Sequence, residues 1–416
     1  MTMILLKVGL VLTPFYEILV KLFPMAVVQT PDTRMAKSFL TMWLALAIGL
    51  SALFLSEIRM CKNKWILFFI AFIPLSIHLS PQYNIELNGV MSPNYWVWKP
   101  FVEILCYFLM FTAIQSLRIN RQSVKSILTV MVWCGTIMAV YVLIQNTGWD
   151  QFFNKRTGGV NNNFFFSVTK PITVGTLGNS TIVSPYLAIL VPLSIYLKRH
   201  VSTIMLICAV LACHSHVATG AMILSLIAYS CLKCGKKLTL VVFLAVLLAL
   251  SVASWSNYFH PKEFRQARSR IFKDNGRVEV WKSIIIAMRE KEFGIASKTR
   301  HPFTGLGLGS YPIVMKPEIN TIFAQAHNEY IEVLCQTGWV GLILFLCAIG
   351  HMLKKIFNSY LDGLNRAEIT ALTSSFICAA LIACGTFIWQ IAPTIYLSVI
   401  VVGLLHNRNL LKGELE

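Results

Sequence analysis

Two groups of residues in this chain have the types and spacing to do chemistry. The first opens "AHNEYIEVLCQTGWVGLILF", residues 326–345, where His327, Asn328, Glu329, Tyr330 and Glu332 crowd the lip of an apolar run. A histidine takes up a proton near neutral pH, which suits general-base work on a hydroxyl. The second is an arginine cluster, Arg265, Arg268, Arg270 and Arg277. The guanidinium fork grips phosphate oxygens two at a time. Together they describe a displacement in which a phosphate ester leaves and a hydroxyl attacks. Each also has a plainer reading: His327 as a helix-capping residue near an interface, Arg277 as a solvated arginine on a surface helix. Cys231 and Cys234 of "CLKC" have metal-ligand spacing, but no second pair lies nearby, and a helix end is the simpler account. Gly305, Gly307 and Gly309 of "TGLGLGSY" have no strand–helix unit around them, so they make no nucleotide loop. A flexible turn beside a membrane is expected there.

The elements that must position these groups are apolar helices. The chain is 56% hydrophobic and only 13% charged, against about 25% charged in an ordinary globular domain. Runs such as "TMWLALAIGLSALFL" and "LTLVVFLAVLLALSVASW" approach the roughly 20 residues that cross a bilayer as helix. The fold class is an all-α polytopic membrane protein. Twelve spans are predicted: 3–23, 38–56, 64–81, 99–117, 124–145, 181–197, 201–215, 217–232, 237–255, 339–354, 368–384 and 386–405. "PFYEILVKLFP" stands where a small-residue cleavage site would be needed, so the first span is expected to be retained. The cysteines sit mostly in apolar runs and behave as small hydrophobes.

Charge sets the orientation. With the N-terminus inside, the inner loops "EIRMCKNK", "RINRQSVK", "KRH", "KCGKK" and "HMLKKIFNSYLDGLNRAE" are all basic, while "CHSHVATG" on the other side has no lysine or arginine. Both termini are therefore expected in the cytoplasm. Three regions result: residues 1–255 with nine spans and an outer loop at 146–180, a large outer loop at 256–338, and residues 339–416 with three spans and a tail. The large loop carries a net charge of about +6 up to residue 326, which suits anionic headgroups or an anionic ligand. Within it, Val278, Trp281, Ile285 and Met288 recur at helical spacing after the Asp274-Asn275-Gly276 turn. Arg277 then falls in a helix first turn, where positive charge opposes the dipole. Residues 327–337 read as a helix at the outer surface, since Glu329, Glu332 and Gln336 are too polar for hydrocarbon. Gly338 is expected to break it before the span begins at Trp339.

These segments resemble the O-antigen ligase and polymerase superfamily of bacterial envelope glycosyltransferases. The likeness rests on "GRVEVWKSIIIAM" (276–288), "HPFTGLGLGSYP" (301–312), "AHNEYIEVLCQTGWVGLILF" (326–345) and, before the sixth span, "GTLGNSTIVSPYLA" (175–188), in the family's order. It covers the chain from about residue 146 by motif, and the remainder by hydropathy only. The resemblance implies an inner-membrane enzyme with its active site on the periplasmic face. It would move a glycan from an undecaprenyl-diphosphate carrier to an acceptor hydroxyl, without cofactor, metal or nucleotide and with inversion. In ligases the acceptor is a sugar of the lipid A core, in polymerases another carrier-linked glycan, and in related enzymes a protein serine or threonine. By motif, His327 and Arg277 are the catalytic pair, Arg277 holding the diphosphate. Asn328 and Tyr330 are candidate orienting groups. Where relatives carry an arginine before the Gly-Thr-x-Gly-Asn segment, this chain offers Lys170; where many have a serine–arginine pair, it has His214 and His216. Those histidines are interfacial residues, or His216 replaces a phosphate contact. The implied partners are the glycan donor, the lipid A core and membrane lipids, with no nucleic acid and no obligatory protein. A transporter of lipid or sugar is the competing class, but the charged cluster lies outside the spans and no internal repeat appears.

Overall fold

In lipid a backbone amide must find its partner within its own segment, so the apolar runs fold as helices. The computed structural model describes residues 1–22, 33–54, 63–78, 93–147, 173, 175–177, 179–233, 281–282, 284–285, 302–308, 326–362 and 365–412. Its helices are α1 (Thr2–Leu22), α2 (Thr33–Phe54), α3 (Lys64–His78), α4 (Pro93–Ser116), α5 (Arg121–Asn146), α6 (Ser180–Tyr196), α7 (His200–Ala212), α8 (His216–Lys233), α9 (Glu329–Leu361), α10 (Arg366–Ala383), α11 (Ala392–Leu405) and α12 (Arg408–Lys412). They coincide with eleven of the expected spans; the other, 237–255, lies outside the described residues, as do residues 146–180 in large part and most of 256–325. Among the described residues five helices, α5, α8, α9, α10 and the α11–α12 run, are long and apolar enough to cross a membrane. The span expected at 386–405 is interrupted: Ile388–Gln390 is a single 3₁₀ turn and α11 starts only at Ala392. The apolar core runs through α1, α2, α4, α5, α6, α7, α8, α10 and α11, with α3 packed on α9 at its flank.

The helix ends gather into two clusters. At one, Glu368 at the start of α10 is fully buried and accepts from Arg121 Nε at 2.6 Å and Tyr196 Oη at 2.8 Å, tying the starts of α5 and α10 to the end of α6. A buried carboxylate is tolerable only when paired in this way. Asn407, also fully buried, donates to the carbonyls of Ile114 and Leu117 at 2.8 Å each, closing the ends of α4 and α11. This cluster takes in the sequence's "RINRQSVK", "KRH" and "NRAE" segments. The other cluster collects the end of α5, the 3₁₀ turn Gly175–Leu177, the α7–α8 turn and the start of α9. Thr176 Oγ1 donates to the Pro14 carbonyl of α1 at 2.6 Å, Gly175 N to Gln145 Oε1 at 2.7 Å, and Thr173 Oγ1 to the Ala212 carbonyl at 3.1 Å. The Gly-Thr-x-Gly-Asn segment is thus a brace, finished by Asn179 capping α6.

One helix is broken on purpose. At Gly338, α9 takes φ 66° and ψ −171°, a conformation essentially reserved for glycine. The break that the sequence places there is real. An intact helix would bond Trp339 N to the Cys335 carbonyl and Val340 N to the Gln336 carbonyl. Instead Leu306 N and Gly307 N donate to those two carbonyls at 2.9 Å, and Trp339 N and Val340 N donate to the carbonyls of Pro302 and Phe303 at 3.0 and 3.1 Å. Ser76 of α3 seals the joint, its hydroxyl reaching the carbonyls of Thr304 (2.6 Å) and Gln336 (3.2 Å). The "TGLGL" stretch is therefore not a turn beside the membrane but an insert that completes α9. Gly305, at φ 75°, lies so close that a Cβ there would stand 2.4 Å from Gly338 N, and a Cβ on Gly338 2.4 Å from the Phe303 carbonyl carbon. Gly338→Ala and Gly305→Ala should each destabilise the fold by at least ~2 kcal/mol. Gly220→Ala, where a Cβ meets nothing within 4 Å, should be neutral or stabilising by up to ~1 kcal/mol. Thermal unfolding of the three variants in detergent checks this.

Candidate functional site

The site is built from helix ends. Asn328 caps α9, its Oδ1 accepting from Tyr330 N at 3.0 Å and Ile331 N at 3.2 Å. Such a cap satisfies backbone donors that the helix leaves open. Asn328 Nδ2 also donates to the Cys384 carbonyl at 2.9 Å, fastening the start of α9 to the end of α10. Tyr330 Oη donates to the Ala380 carbonyl at 3.1 Å, one turn back along α10. Both candidate orienting residues thus hold the framework of the site.

His327 stands just before this cap in a left-handed conformation, φ 53°, uncommon for a residue with a side chain. Its ring packs edge-on against Phe387 with centroids 4.8 Å apart. Phe387 belongs to the 384–387 turn, where a Cβ on Gly385 would meet Val217 Cγ2 at 2.7 Å. The α7–α8 turn therefore abuts the turn that carries Phe387, and His216, exposed as the first residue of α8, is next in sequence to Val217. His214 is exposed too, in the same turn.

Two carboxyls behind His327 are more deeply placed than a surface helix would allow. Glu329 is 4% exposed and Glu332 3%, where the sequence suggested that both face water. Burying a carboxyl is costly unless its oxygens accept hydrogen bonds, and theirs do. Glu329 accepts from Trp389 N at 2.7 Å and Gln390 Nε2 at 3.3 Å, fixing the 3₁₀ turn. Glu332 accepts from Ala326 N at 3.3 Å and Gln336 Nε2 at 3.1 Å. Acidic residues in a helix first turn also suit its dipole. Nothing in the sequence distinguished inward from outward glutamates; their period of three on one helix was the available signal.

The described piece of the 276–288 segment meets the same spot. Trp281 Nε1 donates to the Ala326 carbonyl at 2.7 Å, across 45 positions of sequence. Ile284 is fully buried beside it, while Ile285 is half exposed, so the packed face turns through Ile284 and not, as the periodicity suggested, through Ile285. Arg277, Arg265, Arg268, Arg270 and Lys170 lie outside the described residues. Arg277 is four positions before Trp281 and Lys170 three before Thr173, which is held to the α7 end. Beneath the site, Tyr330, Phe345 and Trp389 pack ring against ring at 5.5–6.2 Å. Trp389 and Phe345 then line an apolar cleft of about 260 Å³ between α3, α4, α9, α10 and α11, walled also by Phe108, Phe111 and Met352.

The geometry gives one clear consequence. Asn328→Ala removes the cap and the tie to α10, and should cost about 1–2 kcal/mol; Asn328→Asp keeps the cap and should cost less. Hydrogen exchange over residues 326–334 should quicken in the alanine variant more than in the aspartate one.

Residues 201–346, from α7 into the second half of α9, match the O-antigen ligase family. Comparison with curated proteins gives no match. The matched stretch contains Trp281, the inserted "TGLGL" segment, His327 and the Gly338 break, and the match supports the O-antigen ligase superfamily.

Proposed function

We propose that this protein transfers a glycan from an undecaprenyl-diphosphate carrier to a sugar hydroxyl of the lipid A core, as an O-antigen ligase. The superfamily consists of membrane enzymes of glycosyltransferase type, and the reading assigns donor, acceptor and residues within it. The observation that carries it is the Trp281–Ala326 hydrogen bond. It joins the Arg277-x-x-x-Trp281 segment to the residue before His327, which is what a site needs if one segment neutralises a leaving diphosphate and the other prepares a nucleophile.

On this reading His327 accepts the proton of the acceptor hydroxyl as its oxygen attacks the anomeric carbon. The bond from that carbon to the diphosphate oxygen breaks in the same step, and the configuration inverts. Arg277 lowers the barrier by holding the charge that develops on the leaving group; Arg265, Arg268, Arg270 and Lys170 add positive charge around it. His216 supplies a further contact from the α7–α8 turn. The isoprenoid tail suits the apolar cleft under Trp389, whose lining is nearly all hydrocarbon. The gathering of the "RINRQSVK", "KRH" and "NRAE" segments at the opposite helix ends supports a periplasmic placement.

Reconstituted protein should transfer glycan from the carrier to lipid A core in the presence of a chelator. His327→Ala should lower the rate by about 10²–10⁴-fold and Arg277→Ala by about 10²–10³-fold, both variants remaining folded. Longer carrier-linked chains in place of core-linked product would make the protein a polymerase, and glycan on protein hydroxyls an oligosaccharyltransferase. Full activity in both variants would remove these residues from the site.

A further inference from the structure

The backbone just before His327 is held from two sides. Ala326 is 1% exposed, and both of its backbone polar groups are engaged over long sequence distances or through a buried side chain. Its carbonyl accepts from Trp281 Nε1 at 2.7 Å; its N–H donates to Glu332 Oε2 at 3.3 Å. A capping-box glutamate ordinarily reaches back to the N–H of the capping residue from the third helical position. Glu332 occupies the fourth position of α9 and reaches past the capping Asn328 to the residue two before it. The carboxylate thereby spans His327, with Ala326 on one side and the helix on the other. Its second oxygen accepts from Gln336 Nε2 at 3.1 Å, and the Gln390 side chain is a further partner, so the side chain is fixed at both ends. His327 meanwhile keeps φ 53°, a conformation that persists only where its surroundings over-determine it.

We infer that Glu332 is a positioning residue: by holding the N–H of Ala326 it sets the left-handed backbone of His327 and aims the imidazole, without itself touching substrate. The inference rests on the proposed role of His327. It requires an acceptor oxygen at Glu332 but no negative charge. A glutamine can place its amide oxygen against Ala326 N–H while Gln336 turns its own amide to accept from the new nitrogen. An alanine leaves a buried N–H without that acceptor.

The test uses the full-length protein in detergent, with two readouts. The first is the rate at which diethyl pyrocarbonate modifies His327, followed by mass spectrometry, with His200, exposed at the other helix ends, as internal reference. The second is transfer kinetics. Glu332→Ala should raise the His327 modification rate several-fold with His200 unchanged, and lower kcat by about 10- to 100-fold with KM for the donor unchanged. Glu332→Gln should lie near wild type in both. Trp281→Phe, which removes the other bond to Ala326, should shift both readouts in the same direction as Glu332→Ala, which keeps the test open if the alanine variant does not fold. Unchanged His327 modification in Glu332→Ala, or a Glu332→Gln variant as impaired as the alanine one, overturns the positioning role. If wild-type protein transfers nothing, the transferase reading falls, while the modification rates still decide whether Glu332 sets His327.

Discussion

A helix interrupted where its ends are buried has to find new partners for the backbone groups it releases, because an unpaired buried polar group is costly. Gly338 releases two carbonyls and two N–H groups ten residues into α9, and the 302–307 insert returns two donors and two acceptors. Much of the site's arrangement depends on that exchange. The part of α9 before the break, residues 329–337, is set at its own angle by the joint, and it carries Asn328, Tyr330 and both buried glutamates at its head. Had α9 run on unbroken, its first turn would continue the axis of the long apolar segment. The break lets one helix serve as a scaffold below and as a site wall above.

The same economy governs the head of α9. Four helix ends meet there, each bringing open backbone groups, and the polar side chains are used to close them. Asn328 closes the first turn of α9 and an α10 carbonyl, Glu329 the turn before α11, Glu332 the residue before His327, and Tyr330 a carbonyl of α10. Among the described residues no cation pairs with either glutamate. Their burial is supported by hydrogen bonds from backbone and side-chain amides. The opposite ends of the bundle are closed differently, by the Arg121–Glu368–Tyr196 group and by Asn407.

The sequence made the helices legible because spans are long, apolar and separated by basic loops. It also made Gly338 legible, since a glycine between a polar turn and an apolar run has few other uses. Three things were hidden. The partner of the break was hidden, because a segment rich in glycine reads as a free turn until the carbonyls it must reach are known. The inward turn of Glu329 and Glu332 was hidden, because polarity alone does not say whether a carboxyl faces water or backbone donors. The buried face at Ile284 was hidden because a run of three isoleucines satisfies more than one helical register. Arg277 and Lys170 lie outside the described residues; their neighbours Trp281 and Thr173 are placed.

That last point carries the functional argument further than the motifs do. A histidine and an arginine fifty positions apart cooperate only if something fixes the distance between their segments. A side chain that donates to backbone is well suited to this, since the acceptor carbonyl moves rigidly with the residue that follows it. Trp281 has one donor and a large ring; Ile284, one turn on and fully buried, anchors the same face. The Ala326 carbonyl is adjacent to the His327 amide, so any shift of the Trp281 helix is felt at φ of His327 within two bonds. On the proposed chemistry, the donor-holding segment and the acceptor-activating residue are thus coupled through the peptide unit between Ala326 and His327, while Glu332 holds the N–H of the peptide unit before it. The histidine is conformationally unusual where that unit ends, and the requirement for a fixed geometry accounts for why.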